Sequence, residues 1–346
     1  MLLKVLSLLW KILKKIFTLE IMTLMTIRQS IQKGLREALN NDPSVFLMGE
    51  DIGEYGGAYA ITSGFLEEFG SDRIKDTPIS EATFIGAGIG AATVGLKPIV
   101  ELMSMSFSLV AFDQIVNMAA NLRYMSGGQI SVPLIIRAPT GAGMQLGATH
   151  SQSFETWLSE VPGLKVITFS SPSDALGLLR SAVKDSNPII IAEPAGLYGV
   201  RGDVSDEYYE IPIGSASVVK EGNDVTLVSY GHGIPILLDT REELIKINID
   251  AEIIDLRTLN PLDMVSIDKS IKKTGRVVLL DTSRKLGGIM PEIVSRIQEN
   301  SVDFLDGPIV SVGSENTPWP YNKNLENYSL PNVDNVIESF REAYKI

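Results

Sequence analysis

Asp76-Thr-Pro-Ile-Ser-Glu81-Ala-Thr-Phe-Ile-Gly-Ala-Gly-Ile-Gly-Ala-Ala-Thr-Val94 runs on through Gly95-Leu-Lys-Pro98 into Ile99-Val-Glu-Leu-Met103. Pro78 pushes its neighbour out of the helical region, and Ser80 is a residue type that caps a helix start. The pattern predicts a Ser80-capped helix through Val94 and a strand over Pro98–Met103. Gly86-Ala-Gly88-Ile-Gly90-Ala91 also satisfies a loose G-x-G-x-x-A pattern. A dinucleotide fingerprint, however, needs a strand ending at its first glycine and an acid about 20 residues on. Here the glycines lie inside a helix, where small residues let it approach a neighbour closely. A helix leading at once into an apolar strand is the repeating unit of a parallel sheet.

The alternation continues in both directions. Thr26 reads as the cap of a helix whose apolar face is Ile27, Ile31, Leu35 and Leu39. A short strand at Val45–Met48 and a glycine-rich loop at Gly49–Gly57 precede the opening stretch. After it come one long helix over Phe107–Met125, a strand at Val132–Ala138, and the loop Pro139–Thr149 leading to a short helix near Ser151. Leu164–Phe169, a helix over Ser173–Lys184 and Pro188–Ala192 close this half. Residues 199–223, with mixed charge, Gly and Pro, read as a linker. A second series follows, with strands at Val225–Tyr230, Asp250–Leu256, Arg276–Asp281 and Ile309–Val312. Its helices fall near Pro235–Lys246, Asp263–Lys273, Gly288–Asn300 and Val333–Tyr344. The expected organisation is an extension (1–24), a first α/β domain (25–198), the linker (199–223) and a second α/β domain (224–346). A length of 346 residues suits two such domains.

Composition narrows the chemistry. No cysteine is present, which excludes disulfides, zinc–thiolate sites, Fe–S clusters and cysteine nucleophiles. The net charge of −12 argues against nonspecific nucleic-acid binding, which needs Lys and Arg on phosphates. A P-loop and a G-x-S-x-G elbow are both missing. Residues 1–24 are apolar but carry Lys4, Lys11, Lys14 and Lys15, which interrupt any run able to span a bilayer. No small-residue cleavage site follows, so a signal peptide fits poorly. The segment reads as a start assigned too early, with an interfacial amphipathic helix as the alternative.

Three side chains stand out. Glu81, in the first turn of its helix, is either a carboxylate favoured by the helix dipole or a desolvated acid tuned for proton transfer. His150 ends the loop containing Gly141, Gly143 and Gly147, and His232 follows a strand in Tyr230-Gly-His-Gly233. Either histidine is open to a structural or a catalytic role, and nothing local separates them. No spacing of His and carboxylates suggests a metal site.

Eight ordered segments carry a resemblance: Phe46-Leu-Met-Gly-Glu-Asp51, Asp76-Thr-Pro-Ile-Ser-Glu81, Gly95-Leu-Lys-Pro98, Asp113-Gln-Ile115, Tyr124-Met-Ser-Gly-Gly128, His150-Ser-Gln152, Pro162-Gly-Leu-Lys-Val166 and Leu197-Tyr-Gly199. Together they resemble the E1 β subunits of 2-oxo acid dehydrogenase complexes, most of all the pyruvate branch, with the branched-chain and acetoin branches as alternatives. The resemblance implies a doubly wound α/β domain of the thiamine-diphosphate pyrimidine type and a transketolase C-terminal-like α/β domain. It implies that Glu81 hydrogen-bonds N1′ of the aminopyrimidine and that Met103 and Phe107 pack against that ring. It further implies that His150 assists acyl transfer to a lipoyl group or orients substrate. A K⁺ site of mostly backbone carbonyls is implied at Leu134, Ala182, Val183, Asp185 and Asn187.

The resembled enzymes hold the cofactor's diphosphate through Mg²⁺, using a G-D-G followed about 25–30 residues later by Asn, hard oxygen ligands suited to that ion. Here Gly202-Asp203 is followed by Val204, and Gly222-Asn-Asp224 has the wrong order. In the resembled family the element lies on a separate α chain, so the resemblance implies an α₂β₂ heterotetramer with Mg²⁺ held by α. It also implies docking of the second domain to the acyltransferase E2, and a cytoplasmic, organelle-matrix or stromal location. Ala138 departs from the usual Gly before Pro139, in a loop that borders the expected site, and so carries no preference among substrates. The Gly-rich insertion expected of acetoin enzymes after Asp51 is missing, and that alone favours pyruvate. Two readings of other classes remain: a noncatalytic E2-binding scaffold and a dehydrogenase with its own nicotinamide site.

Overall fold

The computed structural model describes residues 22–345, so the lysine-dotted segment through residue 21 lies outside the described residues. Fourteen strands are described: β1 (Met22–Thr26), β2 (Val45–Glu50), β3 (Ile74–Thr77), β4 (Lys97–Glu101), β5 (Ile135–Thr140), β6 (Lys165–Thr168), β7 (Ile189–Pro194), β8 (Arg201–Ser205), β9 (Ser217–Lys220), β10 (Val225–Ser229), β11 (Ala251–Asp255), β12 (Thr258–Asn260), β13 (Val277–Arg284) and β14 (Val310–Ser314).

The first sheet has the order β12-β6-β7-β5-β4-β2-β3 and is parallel except for β12. Every residue of β2, β5 and β7 is buried, as expected of parallel strands covered on both faces. One face carries the Ile27–Asn41 helix, capped by Thr26 in a reciprocal capping box with Gln29, and the Pro172–Lys184 helix. Gly34 brings these two together, since a methyl there would lie 2.6 Å from Leu179 Cδ2. The other face carries the Glu81–Thr93 helix. A Cβ on Gly88 would lie 3.0 Å from Val100 Cγ2, so the small-residue stripe serves close helix–strand packing.

The second sheet has the order β14-β13-β10-β11-β9, parallel except for β9. Its core is continuous with the first. Phe84, Ile89, Ala138 and Ile190 share one buried cluster with Val228, Leu256 and Leu279.

Several elements differ from the sequence expectation. The single helix expected over Phe107–Met125 is instead a 3₁₀ turn (Met105–Leu109), a π-helical stretch (Gln114–Ala119) and a short α-helix (Leu122–Met125). Ser104 starts the 3₁₀ turn by accepting the Ser106 N–H, and the wider π turn keeps Ile115, Ala119 and Ala120 on one buried face. The segment read as linker contains β8 and β9. β8 pairs with β1, and β9 edges the second sheet. Met22–Leu24, assigned to the extension, are therefore part of a folded strand pair. β12, from the second series, crosses back to pair antiparallel with β6. The short helix expected near Ser151 begins at Glu155, and Ser80 occupies its cap position without a side-chain cap bond. The Ser80 hydroxyl pairs instead with the Thr83 hydroxyl at 2.7 Å.

Candidate active site

In an open parallel sheet the loops leaving the strands' carboxyl ends are free to converge on one edge. Here β2 ends in Glu50, β3 leads through Thr77 to Glu81, β4 ends in Glu101 just before Met103, and β5 ends in Thr140 at the start of the His150 loop. Glu81 is the first residue of its helix and is 5% exposed. A buried carboxylate is costly unless neighbours stabilise it, and the helix N-terminus supplies unpaired N–H groups there.

Glu50 joins it. Its side chain is buried and its Oε1 has no hydrogen-bond partner. Burial, and then the charges of Glu81, Asp51 and Glu101, push the Glu50 carboxyl up to about 7. A carboxyl that keeps its proton near neutrality can donate a hydrogen bond or pass a proton on. Sequence reasoning quoted Glu50 without assigning it a task. The signal was an acid at the end of an otherwise apolar strand.

A second acidic group was missed as well. Arg137 is 2% exposed and pairs with Glu101 on one side. On the other side it makes a two-pronged contact with Glu193, at 2.7 Å from Nε and from Nη2. Tyr198 donates its hydroxyl to Glu193. The ion cluster ties the middle of β5 to the carboxyl-terminal parts of β4 and β7.

The histidines now separate. His150 is exposed on its loop, with Thr149 Oγ1 2.8 Å from Nδ1 and the ring edge-on to Phe107 at a centroid distance of 5.2 Å. Phe107 and Met103 are half-buried on the segment following β4. Gln152 closes the arrangement. Its backbone N–H donates to Ser106 Oγ, its side-chain amide donates to Ala148 O, and its Oε1 accepts from Arg284 of the second domain at 3.0 Å. His232 lies at the domain junction between Gly141 and Gly196, accepts the Gly196 N–H on Nε2, and is lowered to about 4 by burial. It is neutral at pH 7 and removed from the loop end that carries His150.

The five residues of the cation expectation gather at the opposite, amino end of β5 and β7. Leu134 O accepts the Ile189 N–H and Ala182 O accepts the Asp185 N–H. The Asp185 carboxylate is engaged internally, pairing with Lys165 and accepting from Asn187 N and Nδ2. Among the described residues no group of three or more His, Asp or Glu is placed to hold a metal through side chains.

Two α/β units with neighbouring buried acids at the carboxyl edge of the first define the class. Residues 24–201 match the family model of the transketolase pyrimidine binding domain, and residues 214–336 match that of the transketolase C-terminal domain. A split-gene transketolase, described as an inactive β4 tetramer, superposes with a TM-score of 0.77 at 21% identity, covering 93% of this chain and 98% of that one. Within the class, the pyruvate dehydrogenase E1 component subunit beta-1, mitochondrial, of Oryza sativa is 43% identical over 92% of this chain and 86% of its own length. The pyruvate dehydrogenase E1 component subunit beta of Gracilaria tenuistipitata is 42% identical, over 92% of this chain and 99% of its own. The chain belongs to the transketolase-like family of pyruvate dehydrogenase E1 β subunits.

Proposed function

We propose that this chain is the β half of a thiamine-diphosphate-dependent E1 that decarboxylates pyruvate and passes the acyl group to lipoyl groups of an E2 partner. The observation that carries the reading is the buried Glu81, with Glu50 beside it, at the sheet edge that also bears Met103, Phe107 and His150. These residues fit the aminopyrimidine half of the cofactor. The buried Glu81 would meet a ring nitrogen, Glu50 leaves one buried oxygen without a partner, and the half-buried Met103 and Phe107 would flank the ring. When bound, thiamine diphosphate supplies the nucleophilic carbon and the electron sink for decarboxylation. Glu81 would hydrogen-bond the pyrimidine nitrogen, and Glu50, pushed up to about 7 by burial and the neighbouring charges, would be the nearby proton source. Phe107 and Met103 exclude water from the ring. His150, reached from the open side, serves the acyl-transfer half.

The diphosphate and its Mg²⁺ belong to a separate α subunit in this reading, giving α₂β₂. K⁺ would rest on the Leu134, Ala182, Val183, Asp185 and Asn187 carbonyls. The reaction is assigned to a cytoplasm or organelle interior, and no helix among the described residues is long and apolar enough to cross a membrane.

The test is reconstitution with an E1 α subunit. Pyruvate-dependent reduction of ferricyanide should need both chains and exceed turnover of 2-oxoisovalerate and acetoin. Activity of this chain alone, or no activity of the pair on any of the three substrates, would remove the reading. Added K⁺, compared with Na⁺ at equal ionic strength, should raise the unfolding temperature of the complex. No difference would remove the cation assignment.

A further inference from the structure

The loop that delivers His150 is gripped from the second domain. Glu326, on the Lys323–Ser329 helix, is 1% exposed, and its two oxygens accept backbone N–H groups of the loop. Oε1 takes Gly143 N and Oε2 takes Gln145 N, each at 3.0 Å. Hydrogen bonds to a buried carboxylate are of the strong, charge-assisted kind.

The loop backbone needs such a hold. Gly143 has φ +105°, and Gln145, a residue with a side chain, has φ +58°. A non-glycine residue in the left-handed region persists when its surroundings over-determine it. Further contacts come from the same segment of the second domain, with Leu330 beside Gly143 and Tyr321 beside Gly147. Beyond this grip the loop has one stretch left, Ala148–Thr149, before His150, and past His150 the Gln152 side chain is held by Arg284, again from the second domain. Both ends of the His150 segment are therefore anchored on a domain that places no catalytic residue at this site.

We infer that Glu326 is a positioning residue: its carboxylate fixes residues 141–149 and so places His150 for acyl transfer. The inference rests on the reading of His150 given under Proposed function. Glu326 acts through the loop and touches no reacting atom.

The test uses the reconstituted complex with α, and two assays: pyruvate-dependent ferricyanide reduction and acetylation of a lipoylated E2 domain. Glu326→Gln keeps the size but turns one acceptor into a donor facing an N–H. It should lower acyl transfer by about tenfold or more while ferricyanide reduction stays within about twofold. Placed in a His150→Ala background, it should cause no further loss. Leu330→Ala thins the same seat without disturbing a buried charge, and should give a smaller loss confined to acyl transfer. This variant carries the test should Glu326→Gln not assemble. Unchanged acyl transfer, an equal fall in both assays, or a full additional loss in the His150→Ala background would each overturn the inference while leaving the E1 reading in place. A wild-type complex inactive in both assays would overturn both.

Discussion

Glu50 lies within electrostatic reach of Glu81 at the carboxyl edge of the first sheet, and the Glu81 charge ranks directly after burial among the causes that raise Glu50 to about 7. The ordinary value is 4.5. Between those two values the folded chain retains a proton that the unfolded chain has lost. Stability therefore falls as pH rises through that window and is level on either side of it. Glu155 and Asp255, each pushed up to about 7 chiefly by burial, act in the same direction. Glu50→Gln should lessen the fall in denaturant midpoint of this chain between pH 5 and pH 7.5. A slope identical to that of the wild type would show that Glu50 does not titrate in this window.

Glu81→Gln removes the acid and keeps its volume. Assembly with α, read by gel filtration, should be intact, while decarboxylation should fall by roughly 10²–10⁴, the usual contribution of a positioned acid–base group. Full turnover by this variant would favour the noncatalytic scaffold.

Arg137 is the charge that joins three neighbouring strands, β4, β5 and β7. Burial opposes its ionisation, but Glu101 and Glu193 hold it charged. Arg137→Met leaves both carboxylates buried without their partner, and should cost about 3–5 kcal/mol of folding stability in urea titration. A loss below about 1 kcal/mol would mean that water or a proton replaces the guanidinium easily.

Gly163 has φ +95°, and a Cβ there would lie 2.2 Å from Ala120 O at the end of the π-helical stretch. Gly163→Ala should destabilise by at least about 2 kcal/mol, because left-handed strain and backbone overlap add. Thermal melting would detect the change, and a melting point equal to that of the wild type would argue against this close approach.

Much of the fold was legible because each covered strand is a short apolar run and each helix has a 3.6-residue stripe. Thr26 as a helix cap, the closing helix at Val333–Tyr344 and Glu81 in the first turn of its helix all follow from local pattern. The broken segment over Met105–Met125 did not, since pieces of 5, 6 and 4 residues are too short for 3₁₀, π and α periods to be told apart. The linker was misjudged for a related reason. β8 and β9 are edge strands whose partners, β1 and β11, are set by pairing across the chain rather than by their own composition.

Local sequence determined the alternating α/β architecture, the acid at the head of its helix and, through ordered motifs, the family. It left His150 and His232 equivalent, gave Glu50 no task and said nothing of Glu326. Those assignments depend on burial and on contacts between residues far apart in the chain. Glu326 meets Gly143 across 183 positions. His232 becomes a neutral wedge because two glycines close over it. Glu50 keeps its proton because folding places other carboxylates beside it in a site shielded from water. A residue's type fixes what chemistry it can perform, but its desolvation and its neighbours' charges decide which of those chemistries it performs, and both come from the tertiary fold.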